Sequence, residues 1–462
     1  MTKYFAALLI TSFVAWPSFA ADRNGYTAQH ECRAGSSGCN IDLTPPSCDV
    51  FISVSDSNWS KIYSNTGAKS YCIEPGDHTS KGVITLNFSG TSSQRKWIRS
   101  TTNQNPATQS VGARSTVKQI FFNGGQYWVI DQLALNGLGS SDPGLWFKAG
   151  SNSDNNIVNR SLIENAGARY TGVVYIDVGS DYNTIQNSVI RNSQFVRDED
   201  NDCVQLGNVT GTRIVNNEIY NCKGKGVFSP SGSPIPGTVV ENNDIYVDVS
   251  QQSDCSGNIV AGGPCSGGES PVYFKSGGIL GNPVSVIHNR LWGPRWTDLN
   301  LCCGGGSSGA VVGLARGTES PQDAGADYVL IQNNVIMDGQ LGVHSYPDGP
   351  DHISVIGNIF YKIRQYYKNE VTAAMQLYTA TNVEWIFNTV VDSDVWLLLS
   401  SSAKSNDIRC NVAIAIGSQT GQASFDTTIV DNVAYTNAND AKGTQYCFWR
   451  KLHTGPEQVC IP

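Results

Sequence analysis

An aliphatic residue, any residue, asparagine and then a second short apolar stretch form a unit that recurs nine times. It reads IVNRSLI at Asn159, IQNSVI at Asn187, IVNNEI at Asn216, VENNDI at Asn242 and IHNRLW at Asn289. It returns as IQNNVI at Asn333, IGNIFY at Asn358, IFNTVV at Asn388 and VDNVAY at Asn432. The first eight asparagines are separated by 28, 29, 26, 47, 44, 25 and 30 residues, a period that marks a solenoid. The units are short, β-branched and broken by Asn, Gly and Asp, with no helical periodicity, so the solenoid is built of strands. Asparagine tolerates the left-handed backbone of a tight corner, and stacked amides bond to their neighbours from coil to coil. A β-sandwich with Asn-rich turns would not hold such a register. The expected fold is all-β: a right-handed parallel β-helix with disulfide-stapled ends and inserted loops.

The N-terminus, MTKYFAALLITSFVAWPSFA, has the charge, apolar run and small-x-small site of a secretory signal peptide cleaved near Ala20. A secreted or periplasmic protein is therefore expected. No later stretch reaches the ~20 apolar residues of a membrane span. The expected organisation is a signal peptide over 1–20, a cysteine-rich cap over 21–80, the β-helix over 81–435 and a C-terminal cap over 436–462. About 440 residues exceed what one globular core supports, whereas a solenoid lengthens its core in one direction. A capped solenoid has no need of a partner, so a monomer is expected.

All thirteen cysteines follow Ala20, and in an exported chain they read as disulfides. Four lie in the N-terminal segment and three (Cys410, Cys447 and Cys460) near the C-terminus. Cys255 and Cys265 suit the base of one loop, and the adjacent Cys302 and Cys303 tie down another. The odd total leaves one thiol or an intermolecular bridge. The net charge of −8 gives no basic footprint for nucleic acid.

The two long gaps, 47 and 44, hold Ser253–Gly268 and Leu301–Gly309 and flank Asn289. Solenoid insertions often wall the binding face. Between them runs the stretch from Gly268 to Trp296, with a strand over Val272 to Lys275 and an apolar run from Val284 to Asn289. Counting back from the asparagines puts Asp177, Asp202, Lys275, Arg316, His344, Tyr346 and Tyr378 on one sheet, facing solvent. Alternation puts Val272 and Phe274 inside. Trp292 and Trp296, beside Arg295, are candidates for sugar stacking, as are Asp202 and Tyr378 for holding the substrate.

A face mixing Lys, Arg, His, Tyr and Asp fits β-elimination on a uronic-acid polysaccharide. That reaction needs a cation on the sugar carboxylate, a base for the C5 proton and an acid for the leaving oxygen. Lys275 suits the base, Arg295 or Arg316 the carboxylate clamp, and His344 or Tyr346 the proton return. The run Asp198–Asp202 begins like an EF-hand loop but has Cys203 and Val209 where that loop needs Gly and Glu. Asp200 and Asp202 instead offer the carboxylate pair of a glycoside hydrolase, an alternative activity. Glycan binding without turnover is a third reading.

The segment IEPGDHTSKGVITLNFSGTSSQRKWIRS (Ile73–Ser100) resembles the opening of the β-helical polysaccharide lyases of the alginate lyase and chondroitinase B type. The order Glu269, Lys275, Arg295 is similar to that family's acid, lysine and arginine, with 20 residues from Lys to Arg. The resemblance implies Lys275 as base with Arg295 as its partner. It also implies a calcium ion held by Glu269 with Asp244 or Asn243, which would neutralise the substrate carboxylate.

Overall fold

The structure is a computed structural model. It describes residues 43–462 except 103–104, 168–170, 194–201, 223, 231, 247–269, 294–309, 316–324, 347–348, 365–371, 401–402, 415–427, 431, 435–445, 453–454 and 462, with side chains through residue 414 and at Asn432. The sequence's Glu269, Arg295, Trp296, Arg316 and Asp200, and the cysteines at 255, 265, 302 and 303, lie outside the described residues.

Three long sheets of 14, 11 and 13 strands, here called A, C and B, run the length of the chain, and every pairing within them is parallel. Each turn of chain gives one strand to sheet A, rounds a corner into sheet B, and crosses to sheet C before returning to A. The chain is a right-handed parallel β-helix. Side chains pointing inward stack in columns, for example Ile130, Val158, Ile185, Ile214, Val240, Val286, Ile331, Val355 and Trp385 on sheet A. All of these are buried. Coils lie about 4.8 Å apart, so each column is a continuous apolar seam.

The A-to-B corner explains the repeat. Its first residue takes a left-handed backbone: Asn187, Asn216, Asn242, His288, Asn333, Phe387 and Cys410 have φ between 53° and 59°. Its second residue points inward, and here the ladder runs through Asn217, Asn243, Asn289, Asn334, Asn358, Asn388, Asn411 and Asn432. The backbone N–H and side-chain amide of Asn289 both donate to Oδ1 of Asn334, at 2.8 and 3.0 Å, while its Nδ2 also donates to Val240 O in the preceding coil. Each amide thus bonds to the coils on both sides, and a buried amide is fully satisfied.

The asparagines picked out by sequence alone occupy three successive positions of this corner. Asn289, Asn358, Asn388 and Asn432 are interior. Asn187, Asn216, Asn242 and Asn333 are the left-handed residue, and Asn159 pairs with Gln186, one position earlier still. Asn411 marks a further coil that the sequence reading passed over.

The stack also begins earlier than the 81–435 boundary. Val50–Ile52 pairs with Ser70–Ile73 as the first two strands of sheet A, and a short helix, Ser60–Ser64, packs Trp59 and Ile62 into the core. Cys48 and Cys72 form a disulfide in this N-terminal region. Cys203 and Cys222 form another in the middle of the helix, where none was expected. At the other end, Tyr446–Leu452 and Gly455–Ile461 pair as an antiparallel hairpin with Cys447 opposite Cys460. Among the described residues no helix is long and apolar enough to cross a membrane.

Replacing Asn289 with Ala takes the Oδ1 acceptor from the backbone N–H and Nδ2 of Asn243. It also takes the Nδ2 donor from Val240 O and from Asn334 Oδ1, which keeps only the backbone N–H of residue 289. The expected cost is about 2–3 kcal/mol in a denaturant titration. The same change at solvent-facing Asn382 is expected to cost far less.

Candidate functional site

Sheet C presents the reactive side chains. Its outward register runs Tyr175, Gln205, Phe228, Tyr273, Gly313, His344, Gln376 along successive coils. Two residues further along each coil lie Asp177, Lys275, Ala315, Tyr346 and Tyr378, at the start of the return to sheet A. Alternation therefore holds, and Val272 and Phe274 are fully buried beneath Tyr273 and Lys275.

The centre of this face is aromatic. A Cβ on Gly313 would sit 2.3 Å from Cδ2 of Tyr273, so only glycine lets that ring lie across the next coil. Tyr273 thereby reaches Tyr346, with ring centroids 5.5 Å apart and edge-on. His344 meets Tyr346 at 4.4 Å and Tyr378 at 5.7 Å, both edge-on. On the other side of Tyr273, Phe228 lies between two lysines. Lys225 Nζ is 4.8 Å from its ring centroid and Lys275 Nζ 5.9 Å, within cation–π range. The result is two ammonium groups at one end, one imidazole and two phenols at the other, joined by tyrosine and phenylalanine.

His344 is 3% exposed and bonds to Gln376. Burial pushes its pKa down from 6.5 to about 4 despite that bond, so the ring is neutral at physiological pH. Among the described residues its buried Nδ1 has no partner, and neither has the buried Oε1 of Gln205 four coils away. A neutral imidazole with one ring nitrogen uncommitted can exchange a proton with a bound molecule. The phenol of Tyr175, raised by burial and by the adjacent carboxylate of Asp177, stays protonated.

Several residues expected on this face lie elsewhere or are committed. Asp202 is fully buried, and its Oδ1 accepts the backbone N–H of Lys225 at 2.8 Å, so it braces the next strand instead of facing substrate. Asp177 accepts from Trp146 Nε1 at 3.4 Å and from the Ala149 N–H at 3.2 Å. Trp292 belongs to sheet B, stacked on Tyr246 at 4.5 Å, which stacks on Tyr220 at 5.1 Å. Asp244, also on sheet B, forms a two-pronged ion pair with Arg290. Asn243 is a member of the interior ladder, bonded to Asn289 and Ile214. Neither Asn243 nor Asp244 fits a calcium ion beside Lys275, and no group of three metal-binding side chains occurs among the described residues.

Two participants were missed. Tyr273 was recoverable, because inward Val272 and Phe274 force it outward. Lys225, in the strand Lys225–Ser229 one coil before Lys275, carried no asparagine-based signal, since the return from sheet C to A changes length from coil to coil.

On sheet B, Tyr246 Oη donates to Oε1 of Glu218 at 2.6 Å. Burial nevertheless lifts that carboxyl from 4.5 to about 7, the tyrosine bond opposing the rise.

These two groups give opposite pH dependences. His344 binds a proton more readily in the unfolded chain, so it destabilises the fold as pH falls from 6.5 towards 4; His344→Gln is expected to flatten that limb. Glu218 has a raised folded pKa, so its contribution is present below 4.5 and is lost as pH rises through 7. Glu218→Gln, which keeps an acceptor for Tyr246, is expected to stabilise the protein at pH 8 and to leave it unchanged at pH 4. Denaturation midpoints across pH test both.

No family model and no curated protein matches the sequence. Among solved structures, a mannuronic acid specific polysaccharide family 6 lyase from human gut microbiota is similar, at 12% identity and a TM-score of 0.50 over 82% of each chain. DFA-IIIase from Arthrobacter chlorophenolicus A6 in complex with GF2 is similar at 13% identity and TM-score 0.48, over 79% of this chain and 95% of that one. The A-module of an Azotobacter vinelandii mannuronan C-5 epimerase follows at 13% identity and TM-score 0.44, over 84% and 96%. Likeness at this level of identity concerns the fold alone.

Proposed function

We propose that this protein is an exported polysaccharide lyase that cleaves a uronic-acid-containing chain by β-elimination on sheet C. The observation that carries the reading is the convergence of Lys275, Tyr273, His344, Tyr346 and Tyr378 on one outward face. In the proposed step Lys275 takes the proton from C5, beside the sugar carboxylate. The C5–H electrons form the C4=C5 double bond as the C4–O bond breaks, and Tyr346 gives a proton to the departing oxygen, with the neutral His344 ring packed against that tyrosine. The substrate carboxylate lies towards Lys225, whose positive charge offsets the charge that builds on it. Arg295 and Arg316 remain candidates for the same task. The proposed step needs no calcium; Asn243 and Asp244 make other contacts, and Glu269 lies outside the described residues.

The alternative hydrolase required a carboxylate pair. Of Asp200 and Asp202 only the latter is described, and it is buried against Lys225. Among the described residues of this face the other carboxylate, Asp177, is bonded to Trp146 and Ala149. This composition favours elimination over hydrolysis.

The test follows ultraviolet absorbance and new reducing ends together on a panel of acidic and neutral polysaccharides. Both signals rising on a polyuronate are expected. Reducing ends without absorbance would overturn the lyase reading. Lys275→Ala is expected to lower the rate about 10²–10⁴-fold while leaving the fold intact. Tyr346→Phe is expected to lower the rate as well, and an unchanged rate would overturn Tyr346 as the proton donor.

A further inference from the structure

A concave surface lies on sheet A, away from the sheet C cluster. It is a groove of ≈ 590 Å³ lined by Leu280, Tyr328, His352, Ser354, Glu384 and Asp407, among others. Its floor follows the register Leu330, Ser354, Glu384, Asp407, which spans three coil steps, about 14 Å. Along one side, Tyr328 and His352 occupy left-handed corner positions, φ 52° and 58°, and their rings stack at 4.7 Å. The lip is the turn Ile279–Asn282, closed by backbone bonds of 3.2 and 2.9 Å between its end residues. Leu280 at its tip is 81% exposed, more than any other large apolar side chain among the described residues, and Ile279 is 44% exposed.

The chemistry of the lining selects an occupant. Aliphatic and aromatic surface beside hydroxyl and carboxylate groups is what a pyranose ring meets in a binding site: apolar ring faces rest on carbon, and hydroxyls donate to acceptors. Ser354 bonds to Glu384 at 3.0 Å, and His352 pairs with Asp351 at 3.0 Å. Among the described residues no lysine or arginine lines the groove. Asp407 is paired with Arg409 at 3.2 Å, which leaves Glu384 as the carboxylate that disfavours a polyuronate and not a neutral glycan. The coil repeat is comparable to the advance of one unit in an extended, equatorially linked pyranose chain, so successive sugars meet successive coils.

We infer that this groove is a second, non-catalytic glycan-binding site that takes an extended neutral pyranose chain of the β-1,4-glucan or β-1,4-mannan type. It would hold the protein on a mixed polysaccharide matrix while sheet C faces its own substrate. The inference stands independently of the lyase reading, because no group is shared between the two faces.

The experiment is calorimetric titration of the full protein with cellohexaose, mannohexaose and a mannuronate hexamer. One neutral hexasaccharide is expected to bind at one site per chain, and the uronate is expected not to bind at the groove. Leu280→Ser and Tyr328→Asn, the latter suited to the left-handed corner, should each weaken neutral binding about tenfold. Turnover on sheet C, where present, should be unaffected by either. Absence of heat with both neutral hexasaccharides overturns the inference, as does binding unchanged in both variants. A concentration-dependent dimer abolished by Leu280→Ser would also overturn it, assigning the face to a second copy of the chain.

Discussion

Everything in this molecule depends on one buried amide repeated at the A-to-B corner. Stacking parallel strands satisfies the backbone within each sheet, but a chain turning sharply between sheets leaves polar groups inside an apolar tube. The interior asparagines meet that demand. Each accepts from the coil before it at Oδ1 and donates at Nδ2 to a strand carbonyl of that coil and to the asparagine of the next. From the strand Trp128–Asp131 onward two residues separate each A strand from the B strand that follows, and variation in length falls in the connections into and out of sheet C.

This division governs what was legible in the sequence. The coil, its sheets and its inward columns could be read because a short aliphatic run next to asparagine is a local pattern. The exact corner position could not, because neighbouring asparagines such as Asn242 and Asn243 do different work. Asn242 adopts the left-handed backbone and Asn243 fills the interior. His288, Phe387 and Cys410 hold the same left-handed position with no compositional hint, the tertiary context overriding local preference. The family resemblance had put Asn243 and Asp244 at an expected metal site, whereas Asn243 sits in the ladder and Asp244 pairs with Arg290.

The candidate site was harder still. Counting back from the asparagines brought Lys275, His344, Tyr346 and Tyr378 to one face, although the return from sheet C differs in length between coils. His344 in fact shares its register with Tyr273, while Lys275 shares that of Tyr346 and Tyr378. The count failed for Asp202, which stops short of its strand and turns inward. Trp292 was displaced for a different reason: it belongs to the strand that follows the corner, and so faces outward from sheet B. Proximity in sequence to Lys275 meant nothing once the chain had crossed to another sheet.

The interior amides also share a single polarity. From Asn217 to Asn411 each Nδ2–H points to the Oδ1 of the following coil, ending on Asn432, and never the reverse. Eight side-chain dipoles are therefore aligned head to tail along the axis. Such a row polarises along its length, each bond strengthening the next. This interior row thus carries an electrical direction of its own, opposite to that of the adjacent corner row, where Asn187, Asn216 and Asn242 donate to the preceding coil. A coil spliced in between two interior asparagines would have to supply an amide facing the same way.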